Sequence, residues 1–105
     1  MEAVAERPGQ LLVLRGGLDL TTVPDVRTAL QAALDGGTGD LVVDLSDVVV
    51  LDVTGLGVLV SAHRKAGRCG RRLVLRGVPA QVGRLLVATR LHRVLLIERP
   101  AVAAL

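Results

Sequence analysis

Four aspartates, two histidines, one cysteine and a threonine beside a Gly-x-Gly are the side chains of this 105-residue chain whose types and spacing invite chemistry. Two carboxylates among Asp19, Asp44, Asp47 and Asp52 could form an acid-base pair or hold a magnesium ion. All four fall at expected turns or strand ends, where polar residues gather in any soluble domain, and their spacing imposes no such geometry. No catalytic residue is assigned, and the chain does not read as an enzyme. His63 and His92 have no carboxylate or cysteine at metal-ligand spacing; His63 lies on an inward helical stripe and reads as a half-buried structural imidazole. No metal ligand and no cofactor are assigned. Cys69 is the single cysteine and cannot close an internal disulfide. Its flanks, Gly67, Arg68, Gly70, Arg71 and Arg72, put it in a loop, as an incidental thiol of a reducing cytosol.

The stretch "LDVTGLGVLV", residues 51–60, carries more. A strand followed by Gly-x-Gly and a helix is the front of a dinucleotide-binding fingerprint, but the third glycine would fall at Val60. No lysine follows at P-loop spacing either. What the turn keeps is the general property of a helix start: its first amides are unpaired and favour an anionic group. Asp52 or Thr54 can cap them. A phosphate on a hydroxyl there would meet the helix dipole favourably and repel the neighbouring Asp52, so a surface modified at this point would switch partner binding.

Hydrophobic patterning supplies the elements that position this turn. A polar N-terminus with room for a short edge strand precedes an apolar run at residues 11–14, ended by Gly16 and Gly17, with Asp19 in a polar turn. Thr22, Pro24 and Asp25 read as N-cap, early proline and capping-box acid of a first helix whose stripe is Val23, Val26, Leu30 and Leu34. Residues 41–45 start the next strand, with Asp44 near a strand end. Residues 48–51 are extended, and the chain turns at residues 52–54 into a second helix carrying Leu56, Leu59, Val60 and His63 inward. A strand at 73–75, a third helix from Pro79 with Val82, Leu85 and Leu86, and a short strand at 94–97 complete an alternating α/β order. After Pro100 there is room for a turn of helix.

Half of the residues are apolar, no uncharged stretch of eighteen occurs, and residues 1–10 lack an apolar signal core. The expectation is one domain spanning residues 1–105, soluble, cytoplasmic and without membrane insertion. The net charge is +3, with every positive side chain but Lys65 an arginine, and there is no Phe, Tyr or Trp on which bases could stack. That composition argues against direct nucleic-acid binding. Arg68, Arg71, Arg72 and Arg76 read as a solvated basic edge.

Three stretches, "GGLDLTTVPDVRTAL", "LVVDLSDVVVLDVTGLGVLVSAHRKA" and, more loosely, "RLVLRGVPAQVGRLLVATRLHRVL", together spanning most of the chain, resemble the STAS domains, and within them the bacterial anti-sigma-factor antagonists. The middle stretch is the most specific, because an apolar-Asp-x-Ser/Thr-Gly-Leu-Gly junction after a D-L-S strand end is the family's hallmark. The resemblance implies a single STAS-like α/β domain. Its sheet would be mixed and four- or five-stranded, covered by helices on one face, with a short C-terminal helix. It also implies a function of binding: the antagonist engages an anti-sigma factor that is itself a serine kinase, a sigma factor is released, and phosphorylation of the antagonist ends the contact. By the same analogy the partner-binding residues are Asp19, Thr21 and Thr22 with Asp52, Val53, Thr54, Gly55 and Leu56, together with the outer side of the second helix around Arg64. The chain is expected to be a monomer or a weak homodimer.

In the family the accepting hydroxyl is typically the residue after the junction aspartate. Here that residue is Val53, which has no oxygen to phosphorylate. Three readings stand open: Thr54 is the phosphoacceptor; the protein is never phosphorylated at the junction; or it is a non-phosphorylated STAS interaction module of another assembly, transporter-associated or scaffold.

Overall fold

The computed structural model describes residues 1–98; the short helix expected after Pro100 lies outside the described residues. Five strands, β1 (Glu2–Arg7), β2 (Leu11–Leu18), β3 (Asp40–Leu51), β4 (Arg72–Arg76) and β5 (Leu96–Ile97), lie side by side in chain order. Strand β1 runs antiparallel to β2, and the remaining pairs are parallel, so the sheet is mixed. Helices α1 (Val23–Asp35), α2 (Val53–Arg68) and α3 (Ala80–Ala88) make the crossovers that parallel pairing requires.

The period-two pattern explains why one face is covered. Leu12 and Leu14, then Leu41, Val43 and Leu45, then Leu73 and Leu75 all point into one core. The inward stripes of the helices meet them there: Val26 and Leu30 of α1, Leu56 and Leu59 of α2, Val82 and Leu86 of α3. On the opposite face charge replaces apolar bulk. Arg72 pairs with Asp40 at 2.8 Å and Arg76 with Asp44 at 2.9 Å, each across directly opposed positions of β3 and β4. Arg15 of β2 bridges Glu2 at 3.2 Å and Asp47 at 3.3 Å.

Several local expectations are corrected. Strand β2 does not stop at Gly16 and Gly17 but passes through them. Gly16 opposes Val48 and Gly17 opposes Val50, so β3 carries an extra residue, Val49, in a bulge there, and a further one where Val13 to Arg15 oppose Asp44 to Asp47. Gly16 has φ +99°, which its lack of Cβ permits. Asp44 lies inside one twelve-residue strand rather than near an end, and the Arg76 guanidinium makes that tolerable. Val94 is helical in conformation and closes a short 3-10 turn over Leu91–Arg93, leaving β5 only two residues long.

The basic edge is also not uniform. Arg71 is 5% exposed, and its guanidinium donates to the carbonyls of Ala33 and Leu34 at 2.9 Å each, to Gly39 at 2.9 Å, and to Gly9. It thereby satisfies the last carbonyls of α1, the end of a helix that favours positive charge.

Candidate partner-binding junction

The site of interest is where β2 and β3 end side by side. Leu18 and Leu51 are opposite one another, and the Asp52 amide donates to the Leu18 carbonyl at 3.3 Å, fixing the two exits against each other. From one exit the chain enters the turn to α1; from the other it enters α2.

The first exit is held by polar groups. The Asp19 carboxylate accepts from the Thr21 amide at 2.9 Å, the Thr21 hydroxyl at 2.7 Å and the Thr22 amide at 3.3 Å. The Thr21 hydroxyl and amide hold its pKa below the usual carboxylate range, so at neutral pH it is a fixed acceptor. Thr22 precedes α1 as expected but does not cap it. Its hydroxyl accepts from the Asp19 amide at 3.0 Å and lies 2.9 Å from the Gly17 carbonyl, to which it donates. The capping box with Asp25 is therefore not formed, because the loop claims the threonine first. Wired at both ends, this turn projects Leu20 outward at 70% exposure.

At the second exit Asp52 is the N-cap of α2. Its backbone is extended, and its carboxylate accepts from the Gly55 amide at 2.9 Å. Val53 is already helical, so the turn closes in one residue. Val53 is 75% exposed and Thr54 is exposed, while Gly55 and Leu56 are buried. Leu56, on the inward stripe by patterning but a partner contact by family analogy, is 3% exposed and belongs to the core, which takes it out of the contact surface. Gly55 is a glycine for steric reasons, since a Cβ there would run into the Leu18 carbonyl oxygen.

The junction thus presents Asp19, Thr21, Val53 and Thr54 together with Leu20, which patterning missed. Valines at the bulge add to the apolar rim: Val49 is 64% and Val50 53% exposed, and Gln81 of α3 ties the Val49 carbonyl at 2.9 Å. The signal available in the sequence was an isolated leucine between Asp19 and Thr21 and a valine run longer than one buried face can absorb. Neither Asp19 nor Asp52 is spare for acid-base work, since both carboxylates hold backbone amides. Asp44 and Asp47 are engaged separately with arginines.

The sequence model described as "Mlab, STAS domain" matches residues 3–98. This chain belongs to the STAS family, among domains of the anti-sigma-factor-antagonist type. Over 76 residues it is 36% identical to an anti-sigma-B factor antagonist of Staphylococcus aureus, covering 72% of this chain and 70% of that protein. Among solved structures it is similar to an anti-sigma factor antagonist from Mycobacterium paratuberculosis. The TM-score is 0.74 at 25% identity, over 98% of this chain and 87% of that one. The anti-sigma factor antagonist SpoIIAA in its unphosphorylated form shares the fold, with TM-score 0.69 at 13% identity over 98% and 91% of the two chains. The STAS fold accounts for the five-stranded mixed sheet with helices on one face. Among the described residues no helix is long and apolar enough to cross a membrane.

Proposed function

We propose that this STAS domain, residues 1–105, is a cytoplasmic anti-sigma factor antagonist that acts by binding and not by catalysis. Its partner is an anti-sigma factor with serine kinase activity, whose capture frees a sigma factor. The contact surface is the junction of Asp19, Thr21, Thr22, Asp52, Val53 and Thr54, extended by Leu20. The observation that carries this reading is the 75% exposure of Val53 at the first position of α2. An aliphatic side chain left in water there gains by burial against a partner, about 1.5–2 kcal/mol for the valine if fully covered.

The same residue bears on control. With valine at the family's acceptor position, the antagonist stays in its binding-competent form, and the contact is constitutive with respect to phosphate on residue 53. A second reading, with Thr54 as acceptor, is favoured by its exposure and by a hydroxyl that makes no hydrogen bond among the described residues. Incubation with a candidate anti-sigma kinase and ATP, followed by native and intact mass spectrometry, separates them. A stable complex with no added phosphate supports constitutive binding. A phosphate on Thr54 that dissolves the complex moves the switch to that residue, and absence of any complex with anti-sigma kinases sinks the antagonist reading.

A further inference from the structure

A groove of about 160 Å³ runs between α1 and α2, from Arg27 and Val58 in their early turns to Lys65 and Arg68 in the last turn of α2. Leu30, Leu34 and Ala62 form its floor, and Arg27, Lys65 and Arg68 stand around it. The three cations have alkyl stems suited to forming walls, with charged heads at the rim. Lys65 is met by Asp35 at 3.7 Å, whereas Arg27 and Arg68 make no ion pair among the described residues. No carboxylate lines the groove.

We infer that this groove is a second docking site, for an acidic segment of a partner protein that seats one apolar side chain between carboxylates. Size and charge select this occupant. The groove is smaller than the roughly 300–1,000 Å³ typical of sites for drug-sized ligands and cofactors, which disfavours a nucleotide, yet it has room for a single large side chain as an anchor. Arg27 and Arg68 supply two guanidinium forks, the group best matched to carboxylates. A helical rise of 1.5 Å per residue puts Val58 roughly 6 Å and Lys65 roughly 16 Å along α2 from Thr54, so the groove begins near the junction and extends away from it. The inference does not depend on the anti-sigma reading of the junction.

The protein contains no aromatic residue, so a tryptophan in a probe peptide is the only indole in the mixture. The probe is a blocked peptide, Glu-Asp-Trp-Leu-Glu-Asp, titrated with the full chain and followed by tryptophan emission. Saturable binding with a blue shift is expected, weakened at least tenfold in the double variant Arg27→Glu, Arg68→Glu and kept in Val53→Arg. Circular dichroism confirms that both variants fold. Equal binding of a peptide with lysines in place of the acids, indifference to the double substitution, or no saturation by about 1 mM, where affinity is only about 4 kcal/mol, overturns the proposal. A parallel arm sediments the protein with phosphatidylglycerol vesicles. Capture by vesicles that the double variant loses, with no peptide binding, reassigns the groove to an anionic membrane surface and overturns the protein-segment proposal.

Discussion

Gly55 and Gly57 stand two apart in the first turns of α2 and have opposite reasons for being there. At Gly55 the helix start presses on the Leu18 carbonyl, whereas nothing lies within 4 Å of a Cβ built on Gly57. Gly55→Ala is therefore expected to destabilise by about 1–3 kcal/mol through forced displacement of β2 against α2. Gly57→Ala is expected to stabilise by about 0.5–1 kcal/mol, the ordinary gain in a helix interior. Urea unfolding of the two variants measures both, and equal effects would refute the steric account. The Gly-x-Gly that resembles a phosphate loop in one dimension is, at its first glycine, a packing requirement. Val53 also belongs at this scale. Val53→Arg leaves the unfolding midpoint within about 0.5 kcal/mol of the parent, because the residue is exposed. It should lower affinity for an anti-sigma partner at least tenfold by isothermal titration. Val53→Ser, treated with the kinase and ATP, should gain one phosphate where the parent gains none at residue 53.

At the scale of elements, Arg71 ties together the β1–β2 turn at Gly9, the last carbonyls of α1, and the loop before β3 at Gly39. Sequence pattern placed it in a basic edge, because four arginines within nine residues look alike when only composition is visible. Burial separates them: Arg72 and Arg76 face carboxylates across the sheet, while Arg71 turns inward to carbonyls. Arg71→Met is expected to cost about 3 kcal/mol, since several carbonyls lose a charged donor at once. Arg71→Lys should recover only part, because an ammonium cannot reproduce the guanidinium fork. Denaturant unfolding checks both. If the two variants match the parent, the clamp contributes nothing.

For the whole molecule, the uncovered sheet face is a charge ladder with consequences in acid. Burial pulls the Asp44 carboxyl upward, but the Ser46 hydroxyl at 2.5 Å, the Ser46 amide at 2.8 Å and the Arg76 guanidinium outweigh it and hold it below its ordinary value. The Arg72 guanidinium holds Asp40 low in the same way. A depressed folded value means that the unfolded chain binds the proton more readily. The stabilisation is thus complete above the ordinary carboxylate pKa of about 4 and is lost as pH falls through the lower folded values. Stability should fall modestly below about pH 4, and Asp44→Asn should flatten part of that limb while lowering stability at neutral pH. Urea midpoints between about pH 2 and 7 measure this, and an unchanged acid limb in the variant would assign the loss to other groups.

Element order, the one-sided core and the capped junction were legible in the chain because each rests on local periodicity or a short-range hydrogen bond. Leu12, Leu14, Leu41 and Val43 alternate as strand residues must, and Asp52 meets Gly55 within one helical turn. The identity of residue 53 as valine is likewise a fact of sequence. Exposure and long-range pairing needed the tertiary structure. Burial depends on what lies opposite, so only packing could place Leu20 in solvent. Only the fold could bring Arg71 to carbonyls more than thirty residues away. Whether an arginine is a surface charge or an internal clamp is set by neighbours that the chain's own order does not reveal.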